Sequence, residues 1–369
     1  MSKLKLMTIL GTRPEIIRLS AVIKLADQVF DHTLVHTGQN YAYTLNQIFF
    51  EDLQLKAPDH YLDAVGGDLG ETIGNIIAKS YKLLAETRPD AVLILGDTNS
   101  ALSAISAKRL KIPVFHMEAG NRCFDENLPE ELNRRMVDHI SDVNLPYSEQ
   151  ARRNLLAEGL KREYTFVTGS PMREVLEQRR ASDVVQRLLL EPQNYILLSA
   201  HREENIDNEY NFHELIGAIN ALADKYNMPV LYSVHPRSQK AIDACGVKFN
   251  PLVRTHEPFG FSEYIALQES AFCVVSDSGT LAEESAILGF PSVSARTSTE
   301  RQEAIDRGGM VIGGIGERAI LQAVELATSL KATPKSAVLD YADVNVSGKV
   351  CKIIQGYTDV INRMVWRKK

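Results

Sequence analysis

Residues 90–100 read DAVLILGDTNS: after Asp90, five apolar residues run unbroken into a glycine, an acid and three small polar residues. So short an apolar run, closed by turn residues, reads as a strand buried on both faces, as in parallel sheets. The same grammar recurs along the chain. LKLMTIL (4–10), HTLVHTG (32–38), PVFHME (113–118), DVNLPYS (142–148) and YTFVTG (164–169) read as further strands of a first half. YILLSAH (195–201), MPVLYSVH (228–235), FCVVSD (272–277), FPSVSA (290–295) and GMVIGG (309–314) repeat the style in a second. Amphipathic stretches between them, such as 71–86 and 101–110, predict helices. Alternation of this kind predicts doubly wound α/β units, and 369 residues exceed what one core ordinarily supports. The expected domains are 1–169 and 170–349, divided where Gly-Ser-Pro ends a strand, with a helix over 350–369 crossing back to the first.

The formal net charge of −6 argues against a coat for nucleic acid or anionic membrane, which needs a basic surplus. A small phosphorylated ligand needs only a few local arginines. The apolar stretch in MSKLKLMTIL is too short for a signal peptide, and no run approaches a membrane span. Cys123, Cys245, Cys273 and Cys351 are scattered without a CxxC or His/Cys cluster, so neither zinc nor a disulfide framework is expected. A reduced, cytoplasmic setting fits. GxGxxG and GxxxxGK[ST] are both missing, so neither a nicotinamide fingerprint nor a P-loop is supported and no cofactor is expected.

Polar sequence follows the strands again and again: GTRPE, GDTNS, HMEAGNR, TGSP, SAHREEN, SVHPRS, SDSGT and SARTSTER. Ligands of open α/β sheets bind outside the carboxyl ends of the strands. In GTRPE, Thr12 and Glu15 can cap a helix, with Pro14 in its first turn and Arg13 beside exposed backbone N–H groups. Ser278, Gly279 and Thr280 open another helix, where small residues let a diphosphate approach the backbone, and Glu284 lies one turn further in. His201 and Arg202 end one strand and His235 another, with Arg237 close by. Thr299, Glu300 and Arg301 precede a further helix. Among the acids, Asp97 and Glu118 end two strands, and Glu130 and Glu131 follow in PEELNRR. Each alone reads equally as a helix cap or a surface charge. Carboxylates gathered in a closed site raise one another's pKa, which lets an acid and a base coexist near neutrality. His116, Cys123 and Cys273 read as packing residues.

GTRPE, GDT, EAG, PEE-x-NR, TGSP, HREEN, DSG and TSTER, in this order over nearly the whole length, resemble the non-hydrolysing UDP-N-acetylglucosamine 2-epimerase family. The resemblance implies a GT-B type architecture, two Rossmann-like domains with the active site in the cleft between them, usually as a homodimer. It also implies a UDP-sugar substrate and C2 epimerisation without metal or cofactor, by loss and re-addition of UDP through a glycal. On that pattern Asp97, Glu118 and Glu130 are the acid/base candidates, their individual roles left open. Arg13 and His201 stabilise the departing diphosphate, supported by Arg18. Ser278, Gly279 and Thr280 hold phosphate and Glu284 the ribose, with Arg202, His235, Arg301, Glu131 and Arg134 as further candidates. Arg18 stands where glucosamine epimerases usually have lysine, EAGNRCFDEN replaces EAGLRT, and TGQNYAY (37–43) replaces TGQH. These variants resemble the subgroup making UDP-N-acetyl-L-fucosamine from UDP-2-acetamido-2,6-dideoxy-L-talose for bacterial surface polysaccharide. The loss of the TGQH histidine counts against the allosteric site of bacterial members. The rival expectations are the UDP-N-acetylglucosamine reaction, a GT-B glycosyltransferase and a non-catalytic UDP-sugar binder.

Overall fold

A computed structural model describes residues 2–38, 47–330 and 338–368. Five of the residues in TGQNYAY, 39–43, lie outside them. The chain forms two compact units, Met1–Gln178 with Asp340–Lys369, and Arg179–Leu339.

The first unit is built on a sheet of six parallel strands, β1 (Lys5–Leu10), β2 (Asp31–His36), β3 (His60–Tyr61), β4 (Ala91–Leu95), β5 (Val114–Met117) and β6 (Val143–Leu145). Their order is β3-β2-β1-β4-β5-β6. All five residues of β4 are buried, because helices cover both faces. Met7, Ile9, Val92 and Ile94 pack with Ile76 and Leu84 of the Leu69–Thr87 helix. On the other side of the sheet the Arg13–Val29 helix packs with Val346–Met364.

The second unit has β7 (Ile196–Ser199), β8 (Val230–Ser233), β9 (Val253–His256), β10 (Cys273–Ser276), β11 (Ser292–Ser294) and β12 (Val311–Ile312), also parallel throughout. Their order is β12-β11-β10-β7-β8-β9. Counted from its own first strand, this is the order of the first sheet, the Rossmann order. Ile196 and Leu198 pack with Phe212, Leu215 and Val324 on one face, while Leu197 packs with Val184, Leu267 and Leu281 on the other. Each unit therefore has a switch point, β1/β4 in the first and β7/β10 in the second, where the crossovers turn in opposite directions.

Three expectations need correction. YTFVTG is not a strand: it follows β6, with Phe166 N–H to Asn144 O at 3.0 Å and Thr168 N–H to Pro146 O at 3.0 Å, but forms only one bridge, Thr165 to Asn144. Its Phe166 ring meets Tyr357 of the Val346–Met364 helix edge-on at 4.6 Å, so the segment docks that helix. The edge strands β3 and β9 were not read, since β3 is two exposed residues and β9 carries exposed Arg254 and Thr255. The domain boundary moves from Gly169 to Gln178. The Met172–Glu177 helix buries Met172, Val175 and Leu176 in the first unit, and Ser170 N–H donates to Asp340 O at 2.9 Å. Residues 340–349 accordingly join the first unit as well.

Candidate active site

Each switch point is braced by one buried carboxylate. In the first unit this is Glu15. It accepts N–H donors from Gly11 (3.1 Å) and Thr12 (2.8 Å), closing the capping box of the Arg13–Val29 helix. It also accepts the hydroxyls of Thr98 (3.0 Å) and Ser100 from the loop after β4. Burial raises its pKa, and these donors pull the other way without cancelling the effect. The loops after β1 and β4 are thereby fixed to each other. Arg13 begins the helix half-buried, its guanidinium 5.6 Å from the centre of the Phe49 ring.

Asp97 follows β4 and Glu118 follows β5, and these strands pair directly, Leu95 opposite Met117. A side chain on Gly96 would come within 3.6 Å of Glu118 Oε2, so the Glu118 carboxylate lies over the turn that carries Asp97. Arg134 donates Nε and Nη2 to Asp97 Oδ2 at 2.9 and 2.6 Å. Asp97 Oδ1 has no hydrogen bond among the described residues. Glu118 is buried, receives Arg18 Nη1 at 2.9 Å on Oε2, and receives Asn121 Nδ2 at 3.3 Å on Oε1. Its backbone is left-handed (φ +63°), a conformation costing a non-glycine residue roughly 1–2 kcal/mol. Glu130 is half-buried in the first turn of the Pro129–Ile140 helix, with no hydrogen bond or ion pair among the described residues. Its neighbour Glu131 is fully buried and accepts Arg134 Nη1 (2.9 Å), Cys123 N–H (3.1 Å) and the Cys123 thiol (3.2 Å). Burial raises the Cys123 pKa, in keeping with a packing role.

In the second unit the brace is Asp277, fully buried after β10. One of its oxygens accepts His201 N–H (2.7 Å), Arg202 N–H (2.8 Å) and Asn205 Nδ2 (3.0 Å), all following β7. Its main-chain carbonyl takes Arg202 Nε at 3.1 Å. The His201 ring stacks on His235 with centres 5.3 Å apart, and His235 caps the Pro236–Cys245 helix. Ser278 and Thr280 share a hydroxyl contact of 3.0 Å at the start of the Leu281–Leu288 helix. A Cβ on Gly279 would meet Glu300 Oε1 at 2.6 Å, and Arg296 holds Glu300 at 2.8 Å, so the turn leaves no room for a side chain there. Buried Glu284 accepts Gln268 Nε2 at 2.7 Å. Arg301 is fully buried, with Nη2 3.0 Å from Glu283 Oε2, and so ties the loop after β11 to the Leu281–Leu288 helix.

The structure thus joins Asp97 to Arg134 and Glu131, and Glu118 to Arg18, but leaves Glu130 outside that network. Sequence reading assigned no role to Asn121, Asn205, Gln268 or Asp277, and took Glu15 only for a cap. Asn205 and Asp277 stand inside quoted motifs, where an acid closing a strand was the available signal. Gln268 lies mid-helix with nothing to mark it.

Comparison with known proteins supplies the family. A profile of the UDP-N-acetylglucosamine 2-epimerase family matches residues 24–355. The solved UDP-N-acetylglucosamine 2-epimerase of Rickettsia bellii is 44% identical over 99% of this chain and 100% of that one, with a TM-score of 0.90. That of Methanocaldococcus jannaschii, solved with UDP-GlcNAc and UDP, is 33% identical over 96% of this chain and 100% of that one, with a TM-score of 0.89. The UDP-2,3-diacetamido-2,3-dideoxy-D-glucuronate 2-epimerase of Pseudomonas aeruginosa is 32% identical over 95% of this chain and 99% of its own length. With two Rossmann sheets of one strand order and a match along almost its full length, this chain belongs to the UDP-N-acetylglucosamine 2-epimerase family and is an isomerase, a sugar-nucleotide 2-epimerase.

Proposed function

We propose that the chain converts UDP-2-acetamido-2,6-dideoxy-L-talose to UDP-N-acetyl-L-fucosamine. The observation carrying this reading is the buried Arg18–Glu118 pair at 2.9 Å, in which an arginine grips a carboxylate that follows β5. The hydrogen on sugar C2 is not next to a carbonyl, so direct deprotonation is too difficult. Elimination avoids this: a base takes the C2 proton, the C–H electron pair forms the C1=C2 bond, and the C1–O bond breaks to release UDP. UDP then re-adds at C1 while a second group protonates C2 from the opposite face.

Glu118, held beside the Arg18 cation, is suited to stay an anionic proton acceptor. Asp97, gripped on Oδ2 alone, has its other oxygen to offer to the opposite face. Glu130, without a hydrogen bond or ion pair among the described residues, serves as the third proton carrier. His201, Arg202 and the Ser278–Thr280 turn hold the diphosphate, Glu284 takes the ribose diol, and Arg13 supports the leaving group. Arg18 and EAGNRCF together support the L-configured 6-deoxy ring.

A second reading, epimerisation of UDP-N-acetylglucosamine, is favoured by the names of the Rickettsia and Methanocaldococcus proteins. Purified protein supplied with each UDP-sugar in D2O, with C2–H followed by NMR, separates the two. Exchange and conversion are expected with the L-talose substrate. Exchange with UDP-N-acetylglucosamine alone reassigns the substrate, and sugar transfer without exchange removes the epimerase reading.

A further inference from the structure

Neither strand-end carboxylate is positioned by its own strand alone, because both loops converge on a residue that touches no reacting atom. Asp138 lies in the Pro129–Ile140 helix and is fully buried. Both its oxygens accept Gly120 N–H, at 3.2 and 3.1 Å. Gly120 closes the turn that begins at left-handed Glu118 and is itself left-handed (φ +82°), packed so closely that a Cβ would lie 2.3 Å from Ala151 O. That turn has no slack.

On its other side, Asp138 Oδ1 lies 3.0 Å from His116 Nδ1, in contact but without a hydrogen bond. His116 is fully buried on β5, and its Nε2 is 2.8 Å from Gly96 O, the carbonyl immediately before Asp97. Arg122, also fully buried, clamps Asp138 Oδ2 at 2.7 Å and grips Glu158 with its remaining nitrogens at 2.7 and 2.6 Å. Asn144 Nδ2 holds the Asp138 carbonyl at 3.0 Å.

We infer that Asp138 is a positioning residue that sets Asp97 and Glu118 in register with each other, through Gly120 to the Glu118 turn and through His116 to the Asp97 turn. A buried charge has alternatives to such an arrangement. Arg122 and Glu158 could neutralise each other without it, and an apolar residue would fill the same space. What Asp138 adds is one carboxylate facing two groups at once, an N–H donor and an imidazole, each attached to a different catalytic loop. A carboxamide of the same size keeps at most one oxygen for them and presents N–H groups to Gly120 N–H or Arg122.

The inference rests on the 2-epimerase reading, and its test uses the full-length enzyme. Asp138→Asn is expected to lower kcat for C2–H exchange about 100-fold, as misplacement by an ångström does. KM is expected to stay within about threefold and UDP affinity to match wild type, since ground-state binding is untouched. In a Glu118→Gln background the same change should cost clearly less than in wild type, because one of the two groups through which it acts is already removed. Asp142→Asn is the control: Asp142 is buried in the same unit, bonded to Lys108 and Val114 N–H, and has no link to either loop. It should lower the melting temperature and leave kcat within about threefold. Equal loss in Asp138→Asn and Asp142→Asn, or full additivity with Glu118→Gln, overturns the inference. If Asp138→Asn does not fold, His116→Gln carries the test through the Asp97 arm. A crystal structure of the variant gives an outcome independent of turnover. Glu118 should leave the left-handed region or lose Arg18, and an unchanged Glu118 overturns the inference. Wild-type enzyme that exchanges no C2–H on any UDP-sugar instead sinks the reaction assignment, leaving the positioning claim to be judged by that structure.

Discussion

Asp97 and Glu118 are both held by arginines, but in different ways, and the difference is measurable. Arg134 occupies one Asp97 oxygen with two nitrogens, while Arg18 reaches Glu118 with one and Asn121 takes the other oxygen. Asp97→Asn and Glu118→Gln should each lower turnover by about 10²–10⁴ while UDP still binds, as titration calorimetry will register. Retained turnover in either removes that residue from the proton-transfer set. His36 offers a separate prediction about stability. It ends β2 buried, with Nδ1 accepting Gly38 N–H at 2.9 Å, and burial lowers its pKa from 6.5 to about 4. Between these values the unfolded chain binds a proton that the native protein refuses. Stability should therefore be full above pH 6.5 and fall as pH drops toward 4, by on the order of 3 kcal/mol from this group. Urea unfolding at pH 7 and pH 5 checks the sign, and His36→Gln should flatten the difference. That Asp97 and Glu118 each close a strand was legible at this scale. The bracing roles of Glu15 and Asp277 were not, because their partners lie 83–85 and 72–76 residues away.

At the scale of elements, the turn after β5 is fixed by contact with a neighbouring helix as much as by its own dihedral angles. Gly120 and Gly159 have similar left-handed backbones (φ +82° and +87°), yet a Cβ would meet Ala151 O at 2.3 Å in one and nothing within 4 Å in the other. Gly159→Ala should cost only the conformational term, about 1–2 kcal/mol. Gly120→Ala should add about 1–3 kcal/mol of overpacking by pushing on the Glu149–Ala157 helix. Thermal denaturation of the pair reads the difference directly, and equal melting temperatures would show that the contact relaxes freely. The central strands were readable in the sequence because helices on both faces demand continuous apolar runs. β3 and β9 were not, because their exposed residues, His60 and Tyr61 in one and Arg254 and Thr255 in the other, form no apolar run. Phe166 misled for the opposite reason, since its hydrophobicity serves Tyr357 and not a ladder.

For the whole molecule, the equal strand order of the two sheets was legible only as a repeated style; the order itself depends on pairings that no local pattern encodes. The chain's division was harder still, because one unit is discontinuous. It leaves the first unit at Gln178 and re-enters at Asp340, where Val346–Met364 covers the Arg13–Val29 helix and buries Val350, Ile354 and Ile361. Removing residues 340–369 should abolish epimerisation and lower the first unit's unfolding transition in calorimetry, while UDP binding by residues of the second unit persists. Loss of UDP binding in that variant would count against assigning the nucleotide to Arg179–Leu339. The same discontinuity sets a timetable during synthesis. A ribosome completes Arg179–Leu339 before it makes the helix that the earlier unit requires. The half whose translation begins first is thus the second to mature, and until then it exposes the apolar flank of its Arg13–Val29 helix to whatever the cell offers.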